Sequence, residues 1–230
     1  MLYQLLNKFF MNDFTDIILN HLQTDKNNEV TIFDIGCFEG SFSKKLNDKI
    51  KNKKKIFFLF DPNPNLQIDD FKYYKMALSN NVRTQDFYLN NFFPSSGSSL
   101  KTIVKKDKLW NFSRKLFTLN LNKTFTSFKI ETNTLNNFCT KNKINKINIL
   151  KIDAEGSELD ILKGGKDILN YTQIIQIEIL GTKNNFKEVY AEIVSFLQTN
   201  YNYKILIEKN IWSVGILSNL KAMDVLFVKN

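Results

Sequence analysis

The chain has 230 residues, 43% of them hydrophobic and 13% aromatic, with 32 basic against 23 acidic side chains and a formal charge of +9. That is enough apolar material for one sizeable core and too much for a disordered chain. Eight Gly, three Pro and two Cys exclude collagen-like and disulfide-framed classes.

The start, through about residue 24, is apolar but broken by Asn, Lys and Asp. It lacks the basic n-region and small-residue cleavage site of a signal peptide, and its spacing predicts an amphipathic helix. No run approaches the ~20 apolar residues that a membrane-spanning helix needs. With Cys37 and Cys139 expected as reduced thiols, the sequence predicts a soluble, cytoplasmic chain.

Short β-branched, apolar runs follow, each ending near an acid or Gly: Val30–Ile35, Ile56–Asp61, Ile147–Asp153 and Ile174–Ile179. Helical patterns are predicted at about 40–50, 65–70, 157–164 and 185–199. Tyr73–Leu78 supplies a further strand. Continuous apolar strands alternating with helices predict an α/β, doubly wound sheet, mostly parallel and covered on both faces. Tyr203–Glu208 and Asp224–Val228 are too close in sequence for a crossover helix, so they are expected to pair antiparallel at the sheet edge. Between about 80 and 132 the βα rhythm is lost. There QDFYLN and TSFKIET read as extra strands of a β-rich cap insertion on the substrate side, since long irregular insertions are usually functional. One domain over 1–230 is expected, with no repeat or linker.

His21 is the only histidine. A Ser–His–Asp relay, a multi-histidine zinc site and a histidine base are therefore poor candidates, and carboxylates or a cofactor must carry the chemistry. Candidate residues cluster at strand ends. Asp34 closes the first strand, and Gly36 and Gly40 bracket a turn where a Cβ would block close ligand approach. Asp61 ends the next strand, where a carboxylate can accept both hydroxyls of a ribose or, alternatively, cap the following helix, with PNPN supplying the turn. Lys151 and Asp153 arrive together at the end of a third strand. Glu155, Glu158 and Asp160 follow, and a helix N-terminus favours such acids. Glu178 is an acid on an otherwise apolar strand, costly there unless it is at a site or paired, for instance with Lys151. The same acids suit a hard divalent cation, but no clear ligand cluster stands out and no metal is expected.

Five motifs, FDIGCFEG (33–40), FDPNP (60–64), MALS (76–79), TNTLNNF (132–138) and LKIDAEGSELDILKGG (150–165), occur in the order seen in FkbM-like methyltransferases. With the strand carrying Glu178, the resemblance covers about residues 30–208. It implies a Rossmann-like class I methyltransferase sheet with an antiparallel C-terminal edge strand, S-adenosylmethionine (SAM) as cofactor, and O-methylation of sugars or polyketide-type products. By the same resemblance, Asp34, Gly36 and Gly40 form the methionine-side loop, Asp61 holds the ribose, and Ala77 and Leu78 lie beside the adenine. Asp153, Glu155 and Glu178 face the methyl group and its acceptor. The family often has G-A-N-x-G in the first motif, and Phe38 stands here where that Asn would be.

The acceptor is expected to be a small molecule or a glycan. Lys101, Lys105, Lys106 and Lys108, in the cap, suit an anionic one. The lysine run 44–55 (KKLNDKIKNKKK) lies before the second strand, towards the sheet edge opposite the crevice. Nucleic-acid sites also favour Arg, of which there are only Arg83 and Arg114, so nucleic acid is not the expected partner. Two other readings remain: an RNA methyltransferase drawing on the net charge, and a SAM- or nucleotide-binding module without turnover.

Overall fold

Ile, Val and Phe runs that cannot be solvated form the centre of the sheet. In the computed structural model, which describes residues 13–23, 28–91, 97–109, 111–112, 124–211 and 218–230, they make β1 (Glu29–Ile35), β2 (Lys54–Phe60), β7 (Ile147–Ile152) and β8 (Thr172–Thr182). These pair in parallel, with β3 (Lys72–Tyr74) beyond β2. The C-terminal strands β9 (Tyr203–Ile211) and β10 (Leu220–Lys229) pair antiparallel at the edge, as expected. β10 slots between β8 and β9, giving the order β3-β2-β1-β7-β8-β10-β9. It is the one strand of the seven that runs against the rest.

Side-chain alternation builds two cores. One face carries Phe33, Leu150, Ile175 and Ile177 against α4 (Leu135–Lys141), α5 (Glu158–Lys163) and α6 (Phe186–Tyr201), through Phe138, Ile161 and Ile193. The other carries Val30, Ile32, Ile149, Ile174 and Leu226 against α1 (Thr15–Gln23) and α2 (Ser41–Lys49), through Ile18 and Leu46. Helices on both faces make the sheet doubly wound. No described helix is long and apolar enough to cross a membrane. The expected N-terminal helix is present over α1, and its residues 1–12 lie outside the described ones.

Two local expectations need correction. The run Tyr73–Leu78 is not one strand: β3 stays in the main sheet, while β4 (Ala77–Leu78) joins β6 (Phe125–Asn133) in a second sheet. No helix forms at 65–70. There the Asp61 carboxylate accepts from Asn63 N (2.9 Å) and the Asn63 side chain from Asn65 N (3.0 Å). These local bonds, with Pro62 and Pro64, compete successfully with helical ones. Helix α4, absent from the predicted elements, starts at Thr134, whose hydroxyl accepts from Asn137 N and caps it.

The insertion is the smaller sheet β4-β6-β5, in which β5 (Thr84–Asn90) pairs antiparallel with β6, so both extra strands are present. A short helix, α3 (Ile103–Lys106), follows the loop 97–102. Residues 92–96, 110, 113–123 and 212–217 lie outside the described chain, and Arg114 with them.

Candidate active site

The strand order reverses between β1 and β7, and open α/β sheets bind ligands at such a switch, beyond the carboxyl ends of the strands. An open cavity lies there, with about 600 Å³ of space between its walls when the adjoining solvent is included. Its wall includes Gly36 and Phe38 after β1, Asp61 after β2, Met76–Leu78, Ser98–Leu100 from the insertion, and Asp153–Glu155 with Ser157 after β7.

The first loop is held from both sides. Gly36 N and Cys37 N donate to Phe60 O (2.9 and 3.2 Å), and Asp153 N donates to Ile35 O (3.0 Å). Gly36 has φ +73°, and a Cβ there would lie 1.8 Å from the Asp153 carbonyl oxygen, so β1 and β7 can approach this closely only at glycine. Phe38, in the left-handed region at φ 46°, donates its N–H to Asp61 Oδ2 (3.1 Å). Asp61 therefore supports the loop with one oxygen and its own turn with the other. Burial pushes the Asp61 carboxyl up to about 6, against the pull of those two amides. Gly40 (φ +71°) lies beneath the wall at the start of α2.

Asp34 is fully buried and is also beneath the wall. It accepts from Ser43 Oγ (2.8 Å) and faces Lys151 Nζ at 3.5 Å. Lys151 reaches Asp153 Oδ2 at 3.2 Å on its other side, and no ion pair joins it to Glu178. Burial pulls the Lys151 ammonium down, but the charges of Asp153 and Asp34 outweigh it and its pKa rises.

The segment Asp153–Ser157 carries the insertion. Gly97 N donates to Glu155 Oε1 (2.5 Å), and Ser99 Oγ donates to the Glu155 carbonyl (2.8 Å). Lys101 pairs with Asp160. Glu158 does more than favour its helix N-terminus: fully buried, its Oε1 accepts from Ala154 N (3.2 Å) and Gly156 N (2.8 Å). Burial pushes its carboxyl up to about 8. The folded state thus holds a proton that the unfolded chain releases near pH 4.5, so this group's contribution to stability is complete below pH 4.5 and is lost as pH rises through about 8. Thermal melts between pH 5 and 9 should show a falling midpoint that is flatter in Glu158→Gln. Glu158→Ala should lose about 1–3 kcal/mol by stranding two amides; a slope unchanged in Glu158→Gln would assign it elsewhere.

Of the expected residues, Gly36, Asp61, Ala77, Leu78, Asp153 and Glu155 meet at the cavity wall. Glu178 stands on β8 behind Asp153, directly opposite Asp224 of β10. Sequence reasoning passed over Ser157, whose buried hydroxyl in the wall has no hydrogen-bond partner; its place between two acids in EGSE was the available signal. Among the described residues no group of three or more His, Cys, Asp or Glu is placed to hold a metal ion. Much of the lysine run is paired with acids: Lys44 with Asp70, Lys45 with Asp13, Lys49 with Asp16 and Lys54 with Glu29. In the cap, Lys105 lies over the Tyr88 ring (4.0 Å), while Lys106 and Lys108 are exposed.

A seven-stranded sheet of this order, with its crevice between β1 and β7, is the class I methyltransferase arrangement. The methyltransferase FkbM domain model matches residues 27–205, and the chain belongs to that family. It is 25% identical over 166 residues to the 2-O-methyltransferase NoeI of Sinorhizobium fredii (strain NBRC 101917 / NGR234), covering 64% of this chain and 62% of that protein's length. The methyltransferase FkbM of Methylobacillus flagellatus KT superimposes with a TM-score of 0.49 at 11% identity, over 95% of this chain and 49% of that one. TrmK of M. capricolum, solved with S-adenosyl-homocysteine, gives 0.43 at 16% identity, over 96% of this chain and 70% of that one.

Proposed function

We propose that the protein is a SAM-dependent methyltransferase that O-methylates a hydroxyl of a sugar or glycan. The observation that supports this best is the cavity wall. It sets an apolar bed (Met76–Leu78) beside a carboxylate at the end of β2 and a glycine turn after β1. Those parts fit SAM. Ala77 and Leu78 would flank the adenine, Asp61 would accept from the ribose hydroxyls, and the Gly36–Gly40 turn would hold the methionine end. The orphaned Ser157 hydroxyl leaves one polar contact for a ligand to complete.

When bound, SAM supplies a methyl group already activated as a sulfonium. The chain then has to place an acceptor oxygen in line, about 3 Å away, and take its proton. Asp153 is the carboxylate suited to that task. It lies in the wall, and the Lys151 ammonium at 3.2 Å holds it in place. Glu155 uses one oxygen to hold Gly97, so its role is to seat the insertion. The relative named for 2-O-methylation supports a hydroxyl acceptor.

Calorimetric titration with SAM tests the reading. Asp61→Ala should weaken binding about 10–100-fold, a net loss of roughly 1.4–2.7 kcal/mol in charge-assisted bonding to the ribose. Because Asp61 titrates at about 6, acidification must neutralise the acceptor of those bonds. Wild-type affinity should therefore fall roughly tenfold per pH unit below that point, and Asp61→Asn should show no such dependence. No heat with SAM at neutral pH would sink the proposal. Labelled SAM incubated with glycan, small-molecule and RNA fractions then identifies the acceptor, and label entering only RNA would replace the glycan reading.

A further inference from the structure

Strand register places a row of charges across the sheet beside the cavity. Ile152 pairs with Ile177, so Asp153 falls next to Glu178; Glu178 pairs with Asp224, and Asp224 with Lys209. Alternation puts all four on the face of Ile149, Ile174 and Leu226, the side of α1 and α2. The order across β7, β8, β10 and β9 is acid, acid, acid, cation, at the roughly 5 Å spacing of neighbouring strands. Two cations on this face stand by the outer acids. Lys151, level with Gln176, pairs with Asp153 and Asp34; Lys209 is level with Asp224. The middle acid has a carboxyl group on either side, and carboxylates this close cannot all ionise cheaply.

We propose that Glu178 keeps its proton at neutral pH as the neutral neighbour of Asp153, with Asp224 as the positioning residue that holds the proton there. Asp153, paired to Lys151 and in the cavity wall, is then the group that takes the acceptor's own proton. The task of Asp153 rests on the methyltransferase reading; the protonation of Glu178 does not.

Two buried polar atoms near this row lack a partner. Gln176 Oε1, one step before Glu178 on the same face, is buried with no hydrogen-bond partner, as is Ser157 Oγ in the cavity wall. Buried polar atoms rarely stay unsatisfied, and in the cavity wall a hydroxyl-bearing ligand supplies the partner that Ser157 lacks. The groups facing Glu178 agree. Burial first, and then the charges of Asp153, Glu155, Asp224 and Glu158, push its carboxyl well above the ordinary range.

The test is a pH titration of side-chain carboxyl shifts in protein labelled with 13C-glutamate. One resonance, missing from Glu178→Gln, should titrate above pH 7 rather than near the usual value of about 4.3. Asp224→Asn should lower its midpoint by about one unit or more, and Asp153→Asn should lower it too, which covers the case of a poorly folding variant. A Glu178 resonance titrating in the ordinary range, or one unmoved by both substitutions, overturns the proposal. Neither cofactor nor acceptor is needed, so a failure here is distinct from a failure to bind SAM.

Discussion

Lys151→Met should lower the stability of the fold by about 3–5 kcal/mol, the usual effect of removing one partner from a buried ionic group. Asp34 is fully buried, and its Oδ1 has no hydrogen bond in the protein, only the Lys151 ammonium at 3.5 Å. Methionine fills the volume of the lysine stem but leaves the Asp34 charge stranded and Asp153 without its cation. The midpoint of urea unfolding should drop accordingly, a large step for a domain whose total stability is about 5–15 kcal/mol. Adding Asp34→Asn should recover part of the loss, because a neutral amide strands less charge. A single variant within about 0.5 kcal/mol of wild type, the range of ordinary surface changes, would show that the contacts of Lys151 with Asp34 and Asp153 do not hold the fold together.

Gly36→Ala should be as severe, and it should remove SAM binding as well. The left-handed backbone alone costs an L-residue roughly 1–2 kcal/mol. The new Cβ must also clear the Asp153 carbonyl, 1.8 Å away, and backbone on both sides resists. Gly36 N is tied to Phe60 O and Ile35 O to Asp153 N, so any shift separates β1 from β2 or from β7 at the mouth of the cavity. Calorimetry should show SAM affinity reduced more than 100-fold, equivalent to about 2.7 kcal/mol. Gly40→Ala is the control. Its Cβ meets side chains alone, the nearest being Leu59 Cδ2 at 3.1 Å, so it should show the backbone cost with far less effect on binding. Equal loss in both variants would locate the effect in helix α2 rather than in the close approach.

The central strands were legible because burial on both faces demands unbroken apolar runs, and Ile147–Ile152 and Ile56–Phe60 have no other use. Strand-end acids were legible for the complementary reason that a charge survives there only near solvent or a partner. What could not be read depends on distant pairing. Nothing local marks Asp224 as the residue opposite Glu178, and the pairing of Lys151 with Asp34 follows only from the β1–β7 register. The break between Tyr74 and Ala77 was hidden because aromatic and small apolar residues suit either sheet. At 65–70, helical spacing was outweighed by Asn and Asp side chains bonding to their own backbone.

The way the insertion is fastened bears on how such a protein can diverge. Ser99 grips the main-chain carbonyl of Glu155, and Glu155 grips the main-chain amide of Gly97. Each bond matches one side chain to a backbone group that almost any residue would present. Sequence drift on one side of the seam therefore does not demand a matching change on the other, provided the two paths are kept. The covering sheet can be rewritten residue by residue while the seven-stranded platform and its strand-end loops stay under separate selection.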